Sequence, residues 1–118
     1  HKEADLYLLD LKDGQVKAIP EVNSVEAESY HAWSSNGRWL VFASRRDDGL
    51  YSRPYIAYID ENGKGHKPFV VPQHTPDFYL HSMKSYNVPE FIKEPVELDR
   101  RMIIETAKEG QALKVAAQ

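Results

Sequence analysis

The feature that most constrains the fold is an apolar stretch at residues 38–44, which directly follows the dipeptide Asn36-Gly37. Asn-Gly is the strongest short signal for a β-hairpin, and we expect a type I′ turn in which both residues take positive φ angles. As a strand, the stretch presents apolar side chains to both faces: Trp39, Val41 and Ala43 to one, Leu40 and Phe42 to the other. Such a strand needs cover on two sides.

Further strands are indicated on both sides of this hairpin. Residues 5–11 and 16–19 flank a Gly-containing turn and predict a second hairpin. Residues 55–59 predict a strand that begins after Pro54, and residues 67–71 predict a short one that stops before Pro72. The chain is therefore expected to be mainly β and antiparallel over residues 1–72.

An internal repeat suggests how these strands are organised. The stretch that begins near Tyr7 and the one that begins at Tyr55, 48 positions later, are both apolar strands followed by an acidic turn with glycine. A period of about 40–50 residues with four short strands is typical of propeller blades. We therefore expect about one and a half four-stranded antiparallel blades, a partial one at 5–19 and a full one at 29–71.

The number of blades has a consequence for the isolated chain. A propeller closes with about 4–8 blades, so this sequence is expected to be a C-terminal part of a longer propeller. Its apolar faces lack neighbouring blades. We therefore expect that this chain has too few residues around Phe42 to bury its side chain fully. Self-association of the isolated chain is the predicted result.

Residues 73–118 predict a C-terminal extension with short helices. Thr75 is the expected N-cap of a helix that runs to about residue 84, and residues 88–96, which contain two prolines, are expected to lie extended over a surface. Asp99 is the expected cap of a second helix at 100–109, ended by Gly110. Its expected buried face consists of Met102, Ile103 and Ala107, and a last strand is expected at Leu113 and Val115. Residues 89–96 and the helix are expected to cover a bare face of the propeller.

The run from Tyr30 to Gly49, followed by residues 55–60, resembles the TolB-like β-propeller repeat. That family has a Trp/Phe-Ser-Pro-Asp-Gly turn, a Trp/Ile-x-Phe-x-Ser strand, an Arg-Asp-Gly-type loop and a Tyr-containing strand that ends in Asp. Ser35-Asn36 stands where that family usually has Pro-Asp. The whole chain is similar to the C-terminal end of large TolB-like propeller proteins from Bacteroides-type bacteria. That resemblance implies an exported, periplasmic or envelope-associated protein without an established enzymatic activity. Longer relatives carry a haem-like motif that nothing in this sequence matches.

Composition excludes several classes of function. The chain has 118 residues, 15 basic and 18 acidic, and a formal net charge of −3, which argues against a dedicated nucleic-acid binder. The absence of cysteine excludes disulfides, thiolate metal sites and covalent haem attachment within these residues. No apolar run approaches the roughly 18 residues that a membrane span requires. No cofactor is predicted, and the expected partners are proteins.

The candidate binding residues lie in a charged loop: Arg45, Arg46, Asp47 and Asp48. One interpretation is contact with an anion or acidic polymer at the propeller rim, since guanidinium groups bind carboxylates and phosphates in bidentate fashion. Arg38 and Arg53 flank the same hairpin region, and the other interpretation is that these arginines pair internally with Asp47 and Asp48 or lie in a solvated loop.

Three further groups each have two interpretations. Trp33 and Trp39 are expected in the inter-blade core, with a sugar-stacking platform as the alternative. His31 is expected as a packed structural residue, with a ligand or pH-sensing role as the alternative. A metal shared by His74, Asp77 and His81 competes with solvated surface side chains.

These features together predict a non-catalytic binding or scaffold segment of a larger TolB-like propeller protein, engaged in protein–protein interaction. Two alternatives stay open. The chain could be an accessory propeller of a hydrolase or redox protein whose active domain lies upstream, or a carbohydrate-binding module.

Overall fold

The computed structural model describes residues 4–95, 97 and 99–109. Over these residues the chain is mainly β, with two antiparallel sheets and two short helices. The smaller sheet pairs β1 (Tyr7–Leu9) with β2 (Val16–Ala18). The larger sheet contains β3 (Glu28–Trp33), β4 (Trp39–Ser44), β5 (Arg53–Tyr58) and β6 (Phe69–Val70), paired in chain order. The helices are α1 (Phe78–His81) and α2 (Arg100–Glu109).

The first hairpin is confirmed. Tyr7 pairs with Ala18 and Leu9 with Val16, and the Asp10 N–H donates to the Gln15 carbonyl at 2.9 Å across the turn. Gly14 closes this turn with φ of 69°, a left-handed conformation that glycine adopts without steric cost.

The second hairpin is also confirmed, but its predicted turn type is wrong. Gly37 has φ of 66°, whereas Asn36 does not take a positive φ. The Asn36 side chain explains the difference, since its Oδ1 accepts hydrogen bonds from the Ser34 hydroxyl at 2.6 Å and the Arg38 N–H at 3.1 Å. An asparagine that closes the turn with its own side chain has no need of the left-handed backbone.

The hydrophobic core lies between the hairpin and one side of the larger sheet, which we call the inner face. The buried residues on this face are Leu40, Phe42, Tyr55, Ala57 and Ile59. Leu6, Ile19 and Val22 cover them from the hairpin and the segment after it. Phe42 is fully buried by residues of this chain, so the expectation that it could not be enclosed is wrong. The hairpin supplies the cover that we had assigned to further blades.

The opposite side of the larger sheet, the outer face, carries Trp39, Val41, Ile56 and Tyr58. Residues 86–92 run along part of this face without regular structure, leaving a groove of about 480 Å³. The Tyr86 N–H anchors this segment by donating to the Ser52 carbonyl at 2.8 Å. Val41 is buried here, so strand β4 is covered on both faces, as its sequence predicts. Residues 88–92 lie along the outer face as expected, whereas residues 93 and 94 form a bend.

Both edges of the larger sheet are irregular. The register of β3 against β4 shifts between Ser29 and Ala32, and Tyr30 within this bulge has φ of 49°. At the other edge, β6 has only two residues and lies between Pro68 and Pro72.

The helices depart from several predictions. Helix α1 has four residues and follows Asp77, so neither the Thr75 cap nor the end near residue 84 is correct. Helix α2 has the predicted bounds, and Asp99 caps it by accepting a hydrogen bond from the Arg101 N–H at 2.9 Å. None of the residues of α2 is buried, so the predicted buried face is wrong: Met102, Ile103 and Ala107. An amphipathic pattern produces burial only where a second surface faces it. The expectations for Gly110, Leu113 and Val115 fall outside the described residues.

Within the described residues, neither helix has the length and apolar character to cross a bilayer.

Candidate functional site

Arg46, one of the predicted binding residues, is directed into the protein. Its guanidinium Nη2 lies 3.2 Å from Glu28 Oε1 and donates to the Val22 carbonyl at 2.6 Å. The same group lies over the ring of Tyr55, 4.6 Å from its centroid. Glu28 is almost completely buried and also accepts a hydrogen bond from the Ser44 hydroxyl at 3.0 Å. Arg46 therefore neutralises the buried carboxylate of Glu28 and covers the ring of Tyr55, which belongs to the core.

Asp47 and Asp48 both bind Arg53. The Arg53 guanidinium lies 2.8 Å from Asp47 Oδ2 and 2.7 Å from Asp48 Oδ2. Asp48 Oδ1 also accepts hydrogen bonds from the Tyr51 and Leu50 N–H groups, both at 2.9 Å. These two backbone donors, with a smaller contribution from Arg53, lower the pKa of Asp48 below its usual value.

The Asp47 carboxylate has a second partner on the inner face. The Tyr55 hydroxyl donates to Asp47 Oδ1 at 2.8 Å. Burial and this hydrogen bond to a carboxylate raise the pKa of Tyr55 well above its usual value, so the hydroxyl keeps its proton. The loop is therefore fastened to the core by a network of charges.

The predicted binding loop is thus mostly engaged internally. Arg45 is the member that extends into solvent, where its Nε lies 3.4 Å from the Ser52 hydroxyl. The pairing of Arg53 with Asp47 and Asp48 confirms the interpretation of internal ion pairing. Sequence reasoning missed Glu28, because its position opposite Ser44 becomes evident only with the register of β3 against β4.

A row of aromatic side chains is left open on the outer face. This aromatic strip comprises Trp39, Tyr58, His66 and Phe69. The ring centroids of Trp39 and Tyr58 lie 5.2 Å apart, and those of Tyr58 and His66 lie 5.4 Å apart. Phe69 is half exposed and pairs with Ile56, which places it on the same face.

His66 is fixed beside Tyr58 by the neighbouring turn. Its Nε2 lies 3.1 Å from Asp60 Oδ2. The pKa of Asp60 is lowered, first by the Lys64 N–H that donates to it and then by the His66 hydrogen bond.

The two tryptophans are not core residues of this chain. Trp33 is 41% exposed and Trp39 is 38% exposed in this chain, so their place between blades stays a prediction. His31 is likewise exposed rather than packed. His31 and Trp33 line a groove of about 660 Å³ that runs between β1 and β3.

The side of the hairpin that faces away from the core forms a second apolar surface. This hairpin patch comprises Tyr7, Leu9 and Val16, which are 61%, 52% and 64% exposed, and Leu11 in the adjoining turn. Leu9 and Val16 are cross-strand partners, so their side chains lie side by side. Strand β1 pairs only with β2, so its other edge has unpaired backbone groups within the part of the chain that the structure describes.

The predicted histidine cluster does not form a metal centre. His81 Nε2 lies 3.4 Å from Asp77 Oδ2 on the solvent-exposed surface of α1. Among residues 4–95, 97 and 99–109, no three His, Asp or Glu side chains are placed to hold a metal ion.

Comparison of the chain with protein-family models, curated proteins and solved structures gave no match.

Proposed function

We propose that this chain is a non-catalytic binding or scaffold segment of a TolB-like β-propeller protein of the bacterial envelope, and that it acts through protein–protein contacts. The observation that carries the proposal is the hairpin patch, which exposes neighbouring apolar side chains beside a free strand edge. Contiguous exposed apolar surface on a folded chain marks an interaction site.

Two features support the propeller part of the proposal. The larger sheet is a four-stranded antiparallel meander, and the hairpin packs on its inner face. The two copies of the repeat also share their turn chemistry. Asp10 and Asp60 each accept a hydrogen bond from the N–H two residues later, and a glycine with positive φ follows in both copies.

The use of the charged residues supports a binding role rather than catalysis. Arg46, Asp47 and Asp48 are held by Glu28 and Arg53. Groups fixed in this way stabilise the fold, which leaves the apolar surfaces as the proposed contact sites. The proposed partner is a protein segment in extended conformation, which pairs with the β1 edge and places alternate apolar side chains on the patch.

Selection of a random peptide library on the immobilised chain tests this function. We expect enrichment of sequences with alternating apolar residues, and loss of their binding to Leu9→Glu, which places a charge in the patch. Val25→Glu is the matched control, because Val25 is almost fully exposed in the connector between the sheets. Circular dichroism verifies that both variants keep the fold. Peptides that bind Leu9→Glu as well as the parent chain would contradict the assignment.

Carbohydrate binding is a second candidate, favoured by the exposure of Trp39 within the aromatic strip. Exposed aromatic rings present apolar faces on which a sugar ring stacks. A glycan array tests this candidate, with Trp39→Ala expected to abolish any binding and Trp33→Ala, which alters the inner-face side of the sheet, expected to leave it unchanged. An array without a glycan that distinguishes Trp39→Ala from the parent chain would reject it.

A further inference from the structure

The internal repeat indicates what kind of surface covers the hairpin patch. Tyr7 is the counterpart of Tyr55, and the alternation along each strand makes Leu9 the counterpart of Ala57. In the second copy both positions are buried. In the first copy they belong to the exposed hairpin patch.

The cover over the second copy comes from the other side of the hairpin. Leu6, Leu8 and Ile19 point toward the larger sheet and pack on its inner face. By the same alternation, Leu8 is the counterpart of Ile56, which lies on the outer face of the larger sheet. The side of the hairpin that provides cover is thus equivalent to the outer face of the larger sheet.

The chain therefore has two complementary surfaces without partners among the described residues. The hairpin patch is equivalent to an inner face that lacks its cover. The outer face is equivalent to a covering surface, and residues 86–92 occupy only the part around Val41, Pro54 and Ile56. The aromatic strip, with Trp39 and Phe69, is the part that stays open.

We propose that the hairpin patch of one copy docks on the aromatic strip of a second copy, which repeats between molecules the packing that the chain makes within itself. The interface is head-to-tail, because two different surfaces meet in it. Since each copy keeps one free surface of each kind, association continues beyond a pair and depends on concentration. This inference rests on the proposed function, whose patch it retains, and adds a folded second copy as a partner besides the extended segment.

Sedimentation or light scattering with paired variants tests the docking. Leu9→Glu disables the hairpin patch and Phe69→Glu disables the aromatic strip. Leu9→Lys provides a second patch variant of opposite charge, and Val25→Glu is the control. Each patch or strip variant alone is expected to associate at least about tenfold more weakly than the parent chain, because a charge is buried in its only type of interface. The control is expected to associate like the parent.

The mixture of the two variants gives the decisive result. A Phe69→Glu chain retains its hairpin patch, and a Leu9→Glu chain retains its aromatic strip, so an equimolar mixture is expected to form one-to-one pairs that grow no further. A parent chain that is monomeric at all concentrations would overturn the inference, as would a mixture that stays monomeric or multimers that persist in Leu9→Glu. A monomeric parent that still selects peptides through the patch would refute the docking between copies and leave the proposed function standing.

Discussion

Strand β4 and helix α2 both carry the apolar pattern expected of a buried element, but only β4 is buried. Five of the six residues of β4 are buried, and none of the ten residues of α2 is. The strand lies between the hairpin and residues 86–92, whereas the helix has no described surface against it. The comparison teaches that periodicity determines which side of an element is apolar, and that an opposing surface determines whether that side becomes dry.

The test with the largest expected change in the free energy of unfolding compares two truncations of apolar side chains, one in β4 and one in α2. Phe42→Ala is expected to lower the free energy of unfolding by about 3–5 kcal/mol, since it leaves a cavity in a closed core. Ile103→Ala in α2 is expected to change it by less than about 0.5 kcal/mol, because Ile103 is already half exposed. Urea unfolding followed by tryptophan fluorescence measures both. Equal losses would show that α2 is packed in solution and would remove the contrast.

A second test concerns the ion pair between Glu28 and Arg46 at the edge of the core. Glu28→Gln keeps the shape of the side chain but removes the charge opposite Arg46, and a loss of about 1.5–3 kcal/mol is expected. Glu21→Gln is the control, because Glu21 is an exposed glutamate in the segment between β2 and β3. The same urea titration serves for the measurement. A loss no greater than that of the control would mean that the Val22 carbonyl, the Ser44 hydroxyl and the rings of Phe42 and Tyr55 hold Arg46 without the Glu28 charge.

The pH dependence of stability sharpens the comparison further. The folded-state pKa of Asp48 lies below its unfolded value of about 3.9, so its contribution is complete above about pH 4 and is lost as the pH falls through the lowered folded pKa. Asp48→Asn is therefore expected to flatten the loss of stability in acid. Glu61→Gln, which removes an exposed charge, is the control. Unfolding titrations at a series of acidic pH values would reveal this, and an unchanged acid slope would contradict it.

The smallest expected effect is in the helix cap. Asp99→Ala removes the acceptor for the Arg101 N–H and is expected to weaken α2 locally by about 1 kcal/mol. Because α2 buries nothing, the unfolding midpoint of the sheets is expected to stay constant. Hydrogen exchange of the α2 amides measures the local effect, and fluorescence measures the global one. A shift in the global midpoint would mean that the helix and the sheets unfold together.

Local signals predicted the β elements well. Asn36-Gly37 located the second hairpin, and the apolar runs located the strands, because turn residues and alternation act over a few neighbouring positions. The turn type at Asn36 was missed because its side chain replaced a backbone conformation. Thr75 failed as a cap because the helix that forms begins only after Asp77.

The candidate site was less predictable, since it depends on residues far apart in the chain. The loop at Arg45–Asp48 and its pairing with Arg53 were found from the charges, but Glu28, which lies on another strand, was not. The partial exposure of Trp33 and Trp39 agrees with the expectation that the apolar faces of this chain lack neighbouring blades. The hairpin patch was visible in the sequence only as an apolar strand, and its free side became evident with the sheet order.

The irregular edges of the larger sheet determine the direction in which this structure can be extended. The bulge at Tyr30 interrupts the regular spacing that an added strand would need along β3, and the two prolines limit β6 to a pair of residues. Lateral recruitment of further strands, the route to fibrils, is therefore blocked on both sides. The larger sheet can therefore associate only through its faces, and strand addition is left to the free edge of β1 in the smaller sheet.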